Sequence, residues 1–296
     1  MKLIEPSFEI WEQPAGLEGI YKQVEHVGRV CYKSEDKITE DSAKPFVERM
    51  IKSGHGAMLE HGTVYLKLIG VFLDPTDCDV KYGNYVVGHY VDNKYSKVII
   101  KHDEEWKSDV YITTNYRVII QNGWLNDLKY LCEPTEFHER RITVHFVCDR
   151  GVSHEFVRHR VFSFAQESTR YCNYSKDKFG NELTFIIPCW LNYEEQQFTD
   201  KDDSTIRTDL SEHEYFIDLL LEAENTYNYL VQYCGWKPQQ ARAVLPNSLK
   251  TELVMTGFVS DWKHFFELRD AASAHPQAQE LAHPLYEAFM QRGLVK

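Results

Sequence analysis

Arg158, His159, Arg160 and Arg170 fall within thirteen residues of one another, set among Phe156, Val157, Val161, Phe162 and Phe164. No other stretch restricts the fold as tightly. Apolar side chains gain about 25 cal/mol for each Å² withdrawn from water, while a guanidinium stays charged and is costly to bury without partners. A chain that satisfies both demands must turn the aromatics inward and gather the cations at a pocket, or pair them. Surface pairing with Glu155 and Glu167 accounts for the charges but leaves the apolar flanks unexplained, and charges embedded in aromatic sequence point to a pocket. Hydroxyls of Ser163, Ser168, Thr169 and Tyr171 are interleaved with the cations. Because the planar Arg fork matches phosphate or carboxylate through two parallel hydrogen bonds, the segment reads as a local anion trap suited to a nucleotide phosphate or pyrophosphate.

The trap stands out against its background. Lys and Arg number 33 against 45 Asp and Glu, a net charge of −12, which argues against a surface built to coat nucleic acid or an anionic membrane. At 296 residues and 43% hydrophobic, the composition is globular and a sizeable core is within reach. No apolar run approaches the roughly 18 residues needed to cross a bilayer. Lys2, Glu5 and Glu9 interrupt Met1 to Ile10, so no secretory leader is expected and the cytoplasm is the expected compartment. Seven cysteines, odd in number and without a C-x-x-C pair, suit reduced thiols and make a structural zinc unexpected.

Leu17, Ile20, Tyr21, Val24 and Val27 recur at helical spacing and predict a helix over Leu17 to Val30. A second helix runs from about Lys44 to Ser53-Gly54, and Thr63 to Phe72 reads as a strand. From Asp74 to Gly123 the β-branched and aromatic runs Tyr85 to Val91, Lys97 to Lys101 and Val110 to Ile120 predict a β-rich elaboration, with a turn at Asp92-Asn93. Ile142 to Cys148 is a strand, closed by Asp149-Arg150-Gly151 and followed by a helix that delivers Arg158. The polar stretch Asn192 to Asp209 reads as an exposed loop. Ser211 and Glu214 have capping-box spacing and open a helix to Cys234, ended by Gly235. Pro238 starts a helix, Thr251 to Phe258 reads as a strand, Asp261 caps a helix through Arg269, and Pro276 opens a last helix containing Pro284. The expected fold class is α/β in the α+β sense: one domain over residues 1–296, a mainly antiparallel sheet with flanking helices, and insertions at about 74–139 and 192–209.

Arg158-His159-Arg160, seven residues, Ser168, and then Arg170-Tyr171 reproduce the pattern R-H-R-x7-S. In this the chain resembles the flavin-dependent thymidylate synthases. Arg29-Val30-Cys31-Tyr32, Gly54-His55 through Glu60-His61, Ala241-Arg242-Ala243-Val244-Leu245-Pro246 and Trp262 through Arg269 resemble further segments of that family in the same order.

The resemblance implies reductive methylation of dUMP to dTMP, with methylenetetrahydrofolate as carbon donor, NADPH as reductant, FAD as the bound cofactor and tetrahydrofolate as a product. Hydride transfer is the flavin's own chemistry, so the protein supplies binding, orientation and electrostatics. By carry-over, His55, Arg158, His159, Arg160, Gln166 and His264 face FAD, while Glu155, Arg158, Gln166, Glu167, Ser168, Thr169, Arg170, Arg242 and Arg269 face dUMP. Arg269 is the catalytic candidate: a fixed cation against the pyrimidine stabilises the negative charge that develops as N3 loses its proton. The resemblance also implies a homotetramer with active sites at subunit interfaces, while the acidic balance and the lack of a long apolar run leave neither a nucleic-acid nor a membrane partner expected. Three positions depart from the family's pattern. Ala57 stands where Thr is frequent, Phe258 where Asn is frequent, and Ser273 where a His is usual, with His275 two residues later.

Other readings compete with this one. Ser168 as a nucleophile activated by His159 lacks a G-x-S-x-G elbow, so hydrogen bonding to phosphate is favoured. Pro188-Cys189 resembles the attacking cysteine of the cysteine-dependent thymidylate synthases, but Trp190 follows where Gln is required, and core packing is the expected role. His154 with His159, and His55 with His61, lack the spacing of metal ligands on one helix face. A non-catalytic nucleotide- or RNA-binding module is the rival from another class, with the acidic balance against RNA.

Overall fold

The computed structural model describes residues 1–72, 85–102, 107–176, 180–191 and 211–295. Strands β1 (Lys2–Ile4) and β2 (Ser7–Trp11) lead into α1 (Gly16–Val30), α2 (Ala43–Lys52) and the single turn α3 (Gly56–Leu59). Next come β3 (Thr63–Phe72), α4 (Tyr85–Val91), β4 (Lys97–His102), β5 (Lys107–Asn115) and α5 (Tyr116–Asn122). After these follow β6 (Arg141–Asp149), α6 (Arg150–Phe156), β7 (Ser163–Gln166) and β8 (Thr184–Ile186). The chain closes with α7 (Glu212–Gln232), α8 (Pro238–Ala241), β9 (Lys250–Phe258), α9 (Val259–Arg269) and α10 (Pro276–Gln291). The expected class holds: the fold is α+β, with antiparallel sheets and flanking helices. One sheet has the order β2-β6-β9-β7 and another β3-β5-β4, both antiparallel, while β1 and β8 form a parallel pair.

The four-stranded sheet is covered on both faces, and its two faces differ in chemistry. Ile142, Val144, Phe146 and Cys148 of β6 alternate with Arg141, Thr143, His145 and Val147, so period-2 geometry sends the two sets to opposite sides. The first set joins Leu253 and Met255 of β9 in one core with Phe156 of α6, Trp262 and Phe265 of α9, and Leu285 and Phe289 of α10. On the other side Val254 and Ala165 meet Val27 and Val30 of α1. That side also carries a buried polar layer of Arg141, Thr143, Glu252 and Thr256. Buried His61 belongs to it, its Nδ1 lying 2.8 Å from Thr256 Oγ1. Burial pushes its imidazole down to about 3, so it is a neutral structural residue. The three-stranded sheet shares a separate core with Ile20 and Val24 of α1, Tyr90 of α4 and Ile119 of α5.

Most elements lie where periodicity predicts them, and the exceptions have physical causes. Tyr85–Val91 is a helix, not a strand. Its β-branched residues give strand propensity, yet Val87 and Tyr90, three apart, are both fully buried on one helical face. Tyr90 donates its hydroxyl to Asp127 at 3.0 Å and His89 stacks on Trp124 at 4.3 Å, so tertiary packing overrides propensity. The predicted strand Val110 to Ile120 stops at Asn115, whose side chain accepts from Val118 N at 3.1 Å and caps α5. Asp261 is not the cap of α9. It sits at the third helical position and accepts from the backbone N of Phe258, the actual N-cap, at 3.0 Å. The capping box of Ser211 and Glu214 is present, and Gly54 and Gly235 adopt φ of +71° and +70° at the ends of their helices. Cys189, expected in the core, is exposed. The stretch Asn192 to Asp209 lies outside the described residues, as does the start of the β-rich segment, Asp74 to Asn84. Among the described residues no helix is long and apolar enough to cross a membrane.

Trp262 is fully buried against Phe162 and Phe265, with ring centroids at 4.7 and 5.3 Å, and donates Nε1–H to Ile142 O at 3.1 Å. Trp262→Ala therefore leaves a cavity and an unpaired carbonyl, and a loss of about 3–5 kcal/mol is expected. Urea unfolding measures it, and a loss under about 1 kcal/mol would remove Trp262 as the anchor of this core.

Candidate active site

Asp149 ends β6 and caps α6, its Oδ1 accepting from Val152 N at 2.8 Å. The cap starts a two-turn helix that ends at Phe156 and releases the chain just before Arg158-His159-Arg160. Phe156 is fully buried against Phe146 and Phe265, which fixes where the helix ends. Helix α9 leaves the end of β9 and finishes on Arg269, a cation at a helix C-terminus, where the macrodipole favours it.

These two helices bring together residues more than a hundred positions apart. Arg269 donates Nε–H to His159 Nε2 at 3.0 Å, one Nη1–H to Glu155 Oε2 at 2.6 Å and one Nη2–H to Glu155 O at 2.9 Å. His159 is buried and packs on Phe265 at 5.1 Å and Phe162 at 6.3 Å. Burial, and after it the Arg269 guanidinium and His264, pull its imidazole down to about 4. His159 is therefore neutral near pH 7, and as Nε2 is the acceptor, its proton resides on Nδ1. Of the five N–H donors of Arg269, three are engaged in this way and two have no partner among the described residues. The His264 ring lies 6.2 Å from His159, on the exposed side of α9.

The segment after β7 is held from below. Gln166 donates Nε2–H to Ser153 Oγ at 2.9 Å and to Thr251 Oγ1 at 3.2 Å, tying it to α6 and β9. Ser168 N donates to Cys31 O at 3.0 Å, and Tyr32 packs on Tyr171 at 5.3 Å. Arg242 Nη1 donates to Thr169 Oγ1 at 3.4 Å, so these two are brought together. Arg170 is exposed and lies over the Tyr171 ring at 5.4 Å. Ser168 Oγ accepts from Arg170 N at 3.3 Å, while the Nε2 of His159 is occupied by Arg269, so no Ser168–His159 dyad forms. Arg158 and Arg160 are exposed and make no ion pair among the described residues. His55 is exposed at the N-cap of α3, a turn that packs on β7. The structure records no direct bond between His55 and the Arg269 cluster. Glu167 points inward, its carboxylate taken up by Tyr174 Oη at 2.9 Å and Lys250 Nζ at 2.9 Å.

Glu167 opens a network that motif reasoning did not single out. Lys250 Nζ lies 2.5 Å from Glu252 Oε1, which also takes Lys33 Nζ at 2.6 Å, and His145 Nε2 lies 3.0 Å from Glu252 Oε2. Burial alone would raise the Glu252 carboxyl, but the hydrogen bond from His145 and the ammoniums of Lys250 and Lys33 outweigh it and hold the carboxylate well below its usual range. The signal was present in the sequence as charged residues two apart, Lys250 and Glu252, in a strand with no other charge.

Residues 94–292 match the family model described as thymidylate synthase complementing protein. The chain belongs to this family. Curated relatives include the flavin-dependent thymidylate synthases of Pyrococcus furiosus, 29% identical over 145 residues that cover 49% of this chain and 52% of the relative, and of Corynebacterium aurimucosum, 24% identical over 282 residues covering 92% and 76%. The chain thus spans about half the length of the Pyrococcus furiosus relative it matches. A solved UMP/dUMP methylase, PolB from Streptomyces cacaoi with bound 5-Br UMP, superposes with a TM-score of 0.43 at 16% identity, covering 98% of this chain and 92% of that one. The R-H-R-x7-S segment lies inside the matched range.

The donor set fits a flavin nucleotide. Arg158 and Arg160, without ion-pair partners among the described residues, stand next to a neutral buried imidazole and aromatic walls, a combination that suits an anionic, flat, partly apolar ligand.

The neutral state of His159 carries a pH signature. Above about pH 6.5 both native and unfolded chains hold a neutral imidazole. As pH falls from there towards about 4, the unfolded chain takes up a proton that the native one refuses, so stability drops, by about 3 kcal/mol at most from this group. His61 acts with the same sign. The urea midpoint of His159→Gln should fall less steeply between pH 7 and 5 than that of the wild type, and an unchanged slope contradicts a neutral His159.

Proposed function

We propose that the chain converts dUMP to dTMP by flavin-dependent reductive methylation, with methylenetetrahydrofolate as carbon donor, NADPH as reductant and tetrahydrofolate as a product. The observation that carries this reading is Arg269, a cation fixed in plane by His159 and Glu155 with two N–H donors left for a ligand. When bound, FAD supplies the hydride chemistry. The chain's part is to place charge.

Arg269 meets the pyrimidine and stabilises the negative charge that develops as N3 loses its proton, because a fixed guanidinium needs no reorganisation as that charge forms. His159 holds the guanidinium without neutralising it, since its own charge is suppressed by burial, and Glu155 sets the plane. Arg170 and Arg242, with the hydroxyls of Ser168 and Thr169, take the phosphate of dUMP through charge-assisted hydrogen bonds. Gln166 orients the turn between β7 and Ser168, and Glu167 anchors it through Lys250. Arg158, His159, Arg160, His55 and His264 hold FAD. The working form is a cytoplasmic homotetramer with the sites at subunit interfaces, one domain per chain over residues 1–296, and segments 74–139 and 192–209 as insertions. No protein nucleophile is needed. The exposed Cys189 has a thiol shifted upward by burial and by Glu280, the opposite of an activated thiolate.

Two experiments test the reading. An anaerobic absorption spectrum of the purified chain should show flavin bands that bleach with NADPH, at a rate altered by dUMP. A colourless protein that neither takes up FAD nor oxidises NADPH leaves the non-catalytic nucleotide-binding module as the function. Arg269→Ala should keep its flavin and lose dTMP formation by at least about 100-fold, an order set by the loss of one preorganised charge contact. Arg269→Lys should fall nearly as far, because an ammonium cannot engage His159 and Glu155 in one plane. Turnover within about threefold of wild type in either variant sinks the role given to Arg269.

A further inference from the structure

Lys33 stands where a glycine is expected. Beyond the end of α1, Ser34 N donates to Arg29 O at 3.1 Å and Lys33 N to Val30 O at 3.2 Å, the pair of bonds that closes a helix when the chain turns left-handed between them. Lys33 makes that turn with φ of +47°, a conformation that a side chain disfavours and glycine adopts freely. Helices α2, α5, α7 and α10 use Gly54, Gly123, Gly235 and Gly293 at their ends, with φ of +71°, +72°, +70° and +66°. A lysine kept in this conformation at the end of α1 directs attention to its side chain.

That side chain turns inward, beneath the segment that follows β7. Its Nζ donates to Glu252 Oε1 at 2.6 Å and to the more exposed Glu35 Oε1 at 3.3 Å. Burial favours loss of the proton, but Glu252, Glu35 and Glu167 outweigh burial and raise the ammonium above its usual range, so it is charged. Glu252 shares Lys250 with Glu167, and Glu167 N donates to Glu252 O at 2.8 Å. One residue further on, Ser168 N donates to Cys31 O, in the same turn as Lys33. The Cys172 thiol nearby, pushed up to about 12 by burial and by Glu167, is neutral. Two carboxylates, Glu167 and Glu252, thus lie buried against two ammoniums, Lys250 and Lys33, with His145 on the far oxygen of Glu252. Without Lys33 the two carboxylates share one ammonium, and negative charge gathers under a segment whose Ser168, Thr169 and Arg170 are assigned to an anion.

We infer that Lys33 is a positioning residue for the segment Ser168–Arg170: it offsets the Glu167–Glu252 pair and fixes the segment against the end of α1, so that a phosphate meets ordered donors. Lys33 acts through Glu252 and Lys250, not by contact with the nucleotide. Taking that phosphate to be the one of dUMP rests on the proposed function.

The test compares Lys33→Met, Lys33→Gly and Lys33→Arg in the full-length, flavin-loaded chain. Met and Gly both remove the cation, but Gly alone relieves the backbone, so its urea midpoint should be the higher of the two. Both should nevertheless weaken dUMP in calorimetry at least about tenfold, the order expected when one member of a buried charge pair is removed. In turnover the loss should fall on KM, with kcat within about threefold of wild type and flavin retained. Lys33→Arg keeps the cation and should restore dUMP affinity to within about threefold. Met and Gly variants that bind dUMP as wild type does, or an affinity that follows the urea midpoint instead of the charge, overturn the inference. Wild type that binds no dUMP removes the proposed function, and hydrogen exchange at the Ser168 amide then decides for Lys33. Exchange at least about tenfold faster in both the Met and Gly variants keeps it as the positioning residue of this segment, and unchanged exchange removes it.

Discussion

Arg269 already has one carboxylate partner, Glu155 at 2.6 Å, so it keeps attraction for a second anion only if its other partner, His159, adds no further negative charge. A second carboxylate in place of the imidazole would bind the guanidinium more strongly and cancel its field. A charged imidazole would repel it. A neutral imidazole offering Nε2 does neither, and it stays neutral because Phe162 and Phe265 keep water away from it. Those two rings belong to the core that α6, α9 and α10 build against one face of the four-stranded sheet. The orientation of one side chain at the site therefore depends on the packing of an entire hydrophobic layer, and on the Asp149 cap that fixes the start of the helix leading to His159.

The opposite face of the same sheet solves a different problem. His145 of β6 and the pair Lys250 and Glu252, two apart on β9, meet there with Lys33 of the turn that follows α1. A buried ion cluster seldom adds net stability, because desolvation offsets much of the attraction, but removing one member leaves a partner charged and unpaired. What the cluster does contribute is registry. Glu252 is bridged to Lys33 beyond α1 and to Lys250 on its own strand, and Lys250 reaches Glu167, one residue before Ser168. The segment that offers hydroxyls and Arg170 is thus tied by charge to a sheet interior, while its backbone is tied by Ser168 N to Cys31 O.

Much of this was legible in the sequence, for reasons that separate local from distant information. The helices α1, α2 and α7 and the strands β3, β6 and β9 follow from periodicity and end signals contained within each segment. The R-H-R-x7-S pattern follows from spacing, and Arg269 from the resemblance to the family that the pattern carries. Tyr85–Val91 was misread because β-branched residues favour strands by themselves and turn helical only when Val87 and Tyr90 bury one side together. The contact of His159 with Arg269 and the links from Lys250 to Glu167 and from Glu252 to Lys33 were not legible. Each joins residues whose proximity is created by sheet order, and no window of sequence contains both partners.

Phe258 shows how such distant pairing changes the meaning of a residue. Taken against the family's pattern it is a loss, since an amide there would offer a donor and an acceptor and a phenyl ring offers neither. In the folded chain the ring stands at the end of β9, between Arg141 of the neighbouring strand and Lys97 of the other sheet. An Asn at this place could hydrogen-bond one of those cations from one side. The ring meets both at once, and Arg141 still donates to Glu60 O and Ser163 Oγ. The substitution therefore makes sense only together with the three-stranded sheet that brings Lys97 within reach, and the two features are parts of one arrangement.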